Sequence, residues 1–496
     1  MARLRSQSWC ILCAVTAMTV AALTMFLIGQ PTANAQDKKA VSFINDVAPI
    51  FKESCFACHD AKKRNGKLDM TTFEKLREGG ANGDPIVEGK ADESELYTLL
   101  VTHERRRMPP RDKGEAVAPA KAELIARWIN EGAKLDPDID PKADLVKELR
   151  VRWRPPVPPL AYKFPVIINA MTFTPDDKQL VIGGHHELTV WDIETGKLVK
   201  RIRTRAERAY ALAFAPDGKL VMAGGRPGQE GDVRVFDLNA PPAQVVDGVA
   251  MLNGVDDPKV MLKQLVDTED SMLCLAISPD GRRLAASGCD RIVRVWDISQ
   301  GVVQARLEQT IENHADWVFA LAFSGDGKLL ASAGRDKTAK VWDLESKESI
   351  LTFPDHQAPV YGVTLSADGK LGTSAGADRN LRRWNAVNQA KQVKAIGGHG
   401  DEIFRLVAHP KQPLLVTASA DKTVRLWDAN SGNNLKTLQG LNDHVFAAAI
   451  SANGQLVAGG GYDGEVRVWN VADGKVIRAF NASPGYAGSS VQAPKQ

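Results

Sequence analysis

The chain has 496 residues, a formal net charge of +3 and 25% charged residues. That length exceeds one small compact domain, so at least two are expected. A nearly balanced charge argues against a general nucleic-acid or anionic-membrane binder.

At the N-terminus, Arg3 and Arg5 precede an apolar run from Cys10 to Gly29, followed by Pro31 and the small-residue site Ala33-Asn34-Ala35. This predicts a secretory signal over 1–35, a mature chain beginning near Gln36, and an exported, periplasmic or otherwise extracytoplasmic protein. The apolar run is also long enough to span a bilayer, so an uncleaved segment would tether the protein to the membrane. In residues 42–54, Phe43, Val47, Ile50 and Phe51 recur at helical spacing, one apolar face that delivers the chain into Cys55.

Cys55-Phe56-Ala57-Cys58-His59 comes next. Two thiols three positions apart can each add across a vinyl group of one porphyrin, and the adjacent His59 can ligate its iron. A zinc knuckle would need a second ligand pair, and Cys274 and Cys289 are too distant and wrongly spaced to supply it. A thioredoxin-like dithiol would need a βαβ context that the flanks lack. One covalently attached haem c is therefore expected.

The iron needs a sixth ligand opposite His59, and Met108 in Arg107-Met108-Pro109-Pro110 is the expected one, with His103 and Met70 as rivals. The two prolines hold that backbone extended, and a Met–His pair raises the potential above that of two histidines. The cofactor-binding set is thus Cys55, Cys58, His59 and Met108, with His59 and Met108 on the metal and no catalytic residue assigned. Arg105, Arg106, Arg107, Arg111 and Lys113 surround Met108. They read equally as partners for haem propionates or an acidic redox protein, and as a solvated loop balanced by Glu104, Asp112 and Glu115. A further helix is predicted from about Pro119 to Glu131, with Leu124, Ile125, Trp128 and Ile129 on one face and Gly132 as its stop.

Several signs together resemble the planctomycete-type cytochrome c domain over 41–135. They are Asp46-Val47-Ala48-Pro49-Ile50, Gly66-Lys67-Leu68-Asp69, Gly79-Gly80, Ile86-Val87-Glu88-Gly89, Ser94-Glu95-Leu96, Met108-Pro109-Pro110 and Trp128-Ile129-Asn130-Glu131-Gly132-Ala133. The resemblance implies a small all-α, class I-like fold binding haem c through His and Met.

Residues 136–165 are rich in proline and read as a stiff linker. Beyond them the sequence repeats. Trp191-Asp192, Phe236-Asp237, Trp296-Asp297, Trp342-Asp343, Trp384-Asn385, Trp427-Asp428 and Trp469-Asn470 are separated by 45, 60, 46, 42, 43 and 42 residues. That period belongs to four-stranded propeller blades of the WD-repeat family. Turn sequences such as Pro279-Asp280-Gly281 and Gly325-Asp326-Gly327 keep step with it, and only the sixth repeat departs, with Pro410-Lys411-Gln412-Pro413. An all-β, seven-bladed propeller is expected over 166–481, with an extended loop at 239–258 and a flexible tail over 482–496.

His314, Ser332, Asp336 and Trp342 recur in register as His356, Ser374, Asp378 and Trp384, and as His399, Thr417, Asp421 and Trp427. They resemble the hydrogen-bonded tetrad of WD-repeat blades, which is simpler than a metal site. His185 and His186 fit no tetrad. Cys274 and Cys289 read as two small buried side chains in preference to a disulfide. The function expected is electron transfer through one haem, with the propeller docking a redox partner and other proteins. The alternative is an oxidoreductase whose propeller holds a separate active site exchanging electrons with the haem.

Overall fold

The computed structural model describes residues 40–387 and 390–488. The signal expected over 1–35 and the tail beyond 488 lie outside the described residues. The chain divides into two compact units, Met1–Trp153 and Arg154–Gln496.

The first unit is helical. A single π-helical turn, Phe43–Val47, is started by Ser42, whose hydroxyl accepts from the Asn45 amide at 3.1 Å, and it runs into the helix Ala48–Ser54. Short helices follow at Phe73–Glu78 and Glu95–Val101, then the longest, Pro119–Asn130, and last Leu145–Arg152 inside the stretch expected as linker. Pro119 stands at the start of its helix, where the missing N–H costs nothing. That helix buries Ala122, Ile125, Trp128 and Ile129, while Leu124 only flanks the core. Trp128 sits against Phe43, ring centres 5.1 Å apart, and its indole N–H donates to the Lys134 carbonyl at 2.9 Å. The predicted apolar faces thus meet around one aromatic cluster of Phe43, Phe51, Phe73 and Trp128.

The second unit is all β. Five four-stranded antiparallel sheets span 272–312, 318–353, 360–397, 403–438 and 445–481, each written by consecutive strands. Each aromatic-acid or aromatic-amide pair within them ends the third strand, as Trp342-Asp343 ends Ala339–Asp343. The remaining strands, from Met171 to Thr268, form one nine-stranded sheet. Its long strand Leu198–Phe214 pairs first with His185–Asp192 and then, past Arg208, with Leu220–Arg226. The expected loop at 239–258 holds a hairpin, Gln244–Val246 with Val249–Asn253, and the latter adds in parallel to Lys200–Arg203.

Successive sheets pack through their first strands. The last of these, Val445–Ile450, returns to pack on Met171–Phe173. Among the described residues no strand is shared across that seam. It is held by a buried apolar layer in which Trp191 stacks on Phe480, and by bonds that include the Ile168 amide donating to the Gly461 carbonyl at 3.0 Å, the Tyr162 amide to the Pro484 carbonyl at 2.9 Å, and the Val166 amide to the Ser483 hydroxyl at 2.8 Å. Ala482 and Ser483, expected to begin the tail, are buried in this seam. The proline-rich approach is fastened as well. Arg201 donates to the Pro159 and Leu160 carbonyls and pairs at 2.6 Å with Glu187, while the Tyr162 hydroxyl donates to Glu187 at 2.7 Å. Burial and the Glu187 charge push the Tyr162 phenol well above its usual range.

The repeated turns explain the register. In Ser278-Pro279-Asp280-Gly281 the Ser278 hydroxyl donates to Asp280 at 2.5 Å and Gly281 takes φ +72°, a conformation that favours glycine. The sixth repeat replaces this device with a histidine. The His409 Nδ1 accepts from the Lys411 and Gln412 amides at 3.1 and 2.8 Å. Its proton therefore sits on Nε2, which donates to the Ala452 carbonyl at 3.1 Å.

Candidate functional site

The helix Ala48–Ser54 carries the motif. Its last turn continues through the Cys55 amide donating to the Phe51 carbonyl at 2.8 Å, and the Cys58 and His59 amides then both donate to the Cys55 carbonyl at 3.0 and 3.1 Å. Cys55, Cys58 and His59 therefore spring from one turn wound on a single carbonyl. Phe56 is buried and pins that turn to the core, while Ala57 faces solvent. The far side is fixed by Asp60, whose carboxylate accepts from the Lys62 and Lys63 amides at 2.9 and 2.6 Å. Those bonds, that of Lys63 foremost, hold it below the usual carboxylate range.

Both cysteines carry free thiols. Burial, with the Cys58 charge behind it, pushes the Cys55 thiol up to about 12, so it stays protonated at neutral pH. The His59 carbonyl accepts from the Met70 amide at 2.8 Å, but the ring Nδ1 is buried with no hydrogen-bond partner among the described residues. A buried, unpaired ring nitrogen is unfavourable unless something else engages the imidazole.

The three ligand candidates sit in different settings. Met70 is fully buried inside the apolar core, and His103 is exposed, its carbonyl accepting from Arg111 at 3.0 Å. Met108 is partly buried at the edge of the same core that Cys55 borders, its amide donating to the Leu99 carbonyl at 2.9 Å. Of the basic residues around it, Arg105 and Arg106 are exposed. Arg107 donates through Nη2 to the Gly114 carbonyl at 2.9 Å, but its Nε is buried without a partner. A thioether bordering the core and two orphaned nitrogens, on His59 and Arg107, suit a group that brings a metal and anionic substituents. The residues present therefore fit a haem c.

The histidines of the β unit are differently engaged. His314 meets Asp336 through Nδ1 at 2.8 Å and Ser332 through Nε2 at 2.7 Å, and Trp342 donates to the same hydroxyl at 3.0 Å. His356, Asp378, Ser374 and Trp384 repeat this at 3.0, 2.7 and 3.0 Å, and His399, Asp421, Thr417 and Trp427 at 2.8, 2.7 and 2.8 Å. One proton per bond satisfies every member: indole to hydroxyl, hydroxyl to Nε2, Nδ1–H to carboxylate. Burial works against the Asp378 charge, yet the His356 bond and Arg382 lower its carboxyl to about 2. Sequence reading missed the arginines that join these sets. Arg382 and Arg425 pair with Asp378 and Asp421 at 3.0 and 3.2 Å, two positions before each tryptophan. Arg294 stands likewise two before Trp296 and pairs with Asp290.

His186, unexplained by the repeats, is buried at φ +57°, and its Nδ1 meets the Arg205 carbonyl at 3.3 Å. Burial, then His185, depresses its pKa to about 4, so it is neutral at physiological pH. Cys274 is buried and Cys289 half-buried, and the two are not bridged. Burial raises both thiols, with Asp270 adding to the effect on Cys289.

Residues 55–112 match the Planctomycete cytochrome C family model. Segments 260–297, 305–343, 347–385, 390–428 and 432–470 match the model of the WD domain, G-beta repeat. A cytochrome c segment and a WD-repeat region are fused in this chain. The chain is also 28% identical to Protein groucho of Drosophila melanogaster over 137 residues, 27% of this chain and 16% of that protein. It is 28% identical to Transcription factor unc-37 of Caenorhabditis elegans over 148 residues, 30% of this chain and 21% of that one. The matched stretch thus spans about a fifth or less of these relatives. The cytochrome c segment holds Cys55, Cys58, His59 and Met108. The matched WD repeats hold all three tetrads, and each begins in the outer strand of one sheet or just ahead of it and ends in the third strand of the next.

Proposed function

We propose that the protein is an exported electron-transfer cytochrome holding one haem c, with the WD-repeat region as a seven-bladed scaffold for partner proteins. The observation that carries the haem reading is the turn Cys55–His59. It joins two free thiols to an imidazole whose Nδ1 is buried and unpaired, within the segment matched as a cytochrome c. Cys55 and Cys58 would tether the group, each S–H adding across one vinyl so that sulfur and hydrogen both end on the porphyrin side chain. His59 and Met108 would ligate the iron, which supplies a one-electron couple. Arg107 offers its unpaired Nε to an anionic substituent, while the exposed Arg105 presents positive charge to an acidic partner.

The seven-blade count is supported by splitting the nine-stranded sheet at Arg208, where Leu198–Phe214 changes partners, into two blades that share one long strand. Export is supported by the signal pattern at 1–35. The scaffold role is supported by repeats whose polar groups lock each sheet and leave no titratable set free for chemistry at the tetrads.

Replacing Cys55 and Cys58 with alanine tests the haem reading. The exported double variant should release all its colour into acidic acetone, whereas the natural chain should keep it. Colour that stays with the double variant overturns the covalent assignment. Replacing Met108 with alanine should abolish the weak far-red ferric band of a sulfur–iron bond, and loss of low-spin ligation on replacing His103 instead would assign the ligand there.

A further inference from the structure

Arg405 departs from its own repeat. It is the first residue after the bulge in the strand Ile403–Ala408, paired in register with Ala418. The same register position in the other first strands is held by Ala211, Cys274, Ala320, Gly362 and Ala447, and Ala170 corresponds just ahead of Met171–Phe173. Six small residues leave room, and the seventh side chain takes it. Its Nη2 donates to the Asn169 and Tyr210 carbonyls, both at 2.8 Å and 236 and 195 residues away, one just ahead of Met171–Phe173 and the other in the strand Leu198–Phe214. Since the first strands of successive sheets pack on one another, that reach crosses the middle of the ring.

The guanidinium is not neutralised there. It has five N–H donors, and the two carbonyls take those of Nη2. Nε and Nη1 make no hydrogen bond among the described residues, and no carboxylate pairs with it. Burial works against its charge, and the titratable group that acts on it, the Cys274 thiol, is itself kept protonated by burial. Beside it, Phe404 continues a chain of half-buried rings, with Phe319–Tyr361 centres at 5.1 Å, Tyr361–Phe404 at 5.9 Å and Phe404–Phe446 at 4.9 Å. An uncompensated guanidinium held this way favours an anion that can reach its remaining donors.

We infer that Arg405 makes the axial channel of the WD-repeat region a binding site for one small oxyanion, of the sulfate or phosphate class. The inference rests on the ring reading above. The anion would take the free Nε and Nη1 donors and cancel the charge that the protein leaves unpaired.

Calorimetric titration of the whole exported protein with sodium sulfate, in a chloride background of fixed ionic strength, tests it. The expected result is about one sulfate per chain, weakened roughly tenfold or more in both Arg405→Gln and Arg405→Lys. No saturable sulfate binding by the natural chain overturns the site whether or not the variants fold. Equal binding by natural and variant chains overturns it too, since the anion would then sit elsewhere. A crystal soaked in selenate separates the two readings: its anomalous signal at Arg405 tests the site, and the sheet count in the same map tests the ring.

Discussion

At the scale of single residues, the tetrads concentrate stability where chemistry was a competing reading. Ser374 accepts from Trp384 and donates to His356, so Ser374→Ala strands two buried polar groups at once. That change should cost about 2–4 kcal/mol, read as a lower urea midpoint at unchanged slope, and an unchanged midpoint would deny the tetrad its role. His186 makes a pH-dependent contribution. Its folded pKa of about 4 lies below the unfolded value of ~6.5, so stability is whole above that value and lost as pH falls towards 4. Urea midpoints at pH 7 and 4.5 should therefore differ more for the natural chain than for His186→Asn, a residue that tolerates φ +57°. Which residues were legible follows from how local their bonds are. Cys55, Cys58 and His59 share one turn, and the tetrads repeat at a fixed period, so both stand out in the sequence. Arg405 bonds across 195 and 236 residues, and its one sequence trace is being the large residue where six repeats carry small ones. The setting of Met108, Met70 and His103 depends on which side of a loop the core lies, and spacing carries no record of that.

At the scale of elements, the hairpin turns impose the register of the sheets. Gly218 and Gly281 occupy the same turn position at φ +77° and +72°, but a Cβ at Gly218 meets open space while one at Gly281 would lie 2.5 Å from the Pro216 side chain. Gly218→Ala should cost about 1 kcal/mol, and Gly281→Ala distinctly more. Equal thermal shifts would mean that Pro216 moves aside freely. The strands themselves were readable because alternation and turn chemistry agree in nearly every repeat. The exceptions are instructive. The sixth turn has no glycine device because His409 supplies its acceptor from the side chain. The strand Leu198–Phe214 serves two sets of partners, which no local pattern announces, and the helix Leu145–Arg152 lay hidden in a stretch whose prolines suggested only a spacer. Its N-cap, Asp144, accepts from the Val146 and Lys147 amides at 2.8 and 3.1 Å, a signal weaker to the eye than the prolines around it.

At the scale of the whole molecule, the two units have separate cores, one aromatic and helical, the other a succession of aliphatic layers between sheets. Scanning calorimetry should resolve two transitions, and Cys55→Ala with Cys58→Ala should lower only the one belonging to the helical unit. A single transition that moves as a whole would make the units one cooperative body. The seam between the first and last sheets has its own consequence. Every other pair of neighbouring sheets that the matched repeats span is stitched by a repeat that starts at the outer strand of one and ends in the next, while the seam is closed by a buried apolar layer in which Trp191 stacks on Phe480, and by amide and side-chain bonds near Tyr162, Val166, Ile168, Asp177 and Ser483. Each four-stranded sheet is also encoded by one unbroken stretch of chain. Duplicating or losing such a stretch would add or remove a sheet whole, with no strand left widowed across the join. The architecture is in that sense open to growth by recombination.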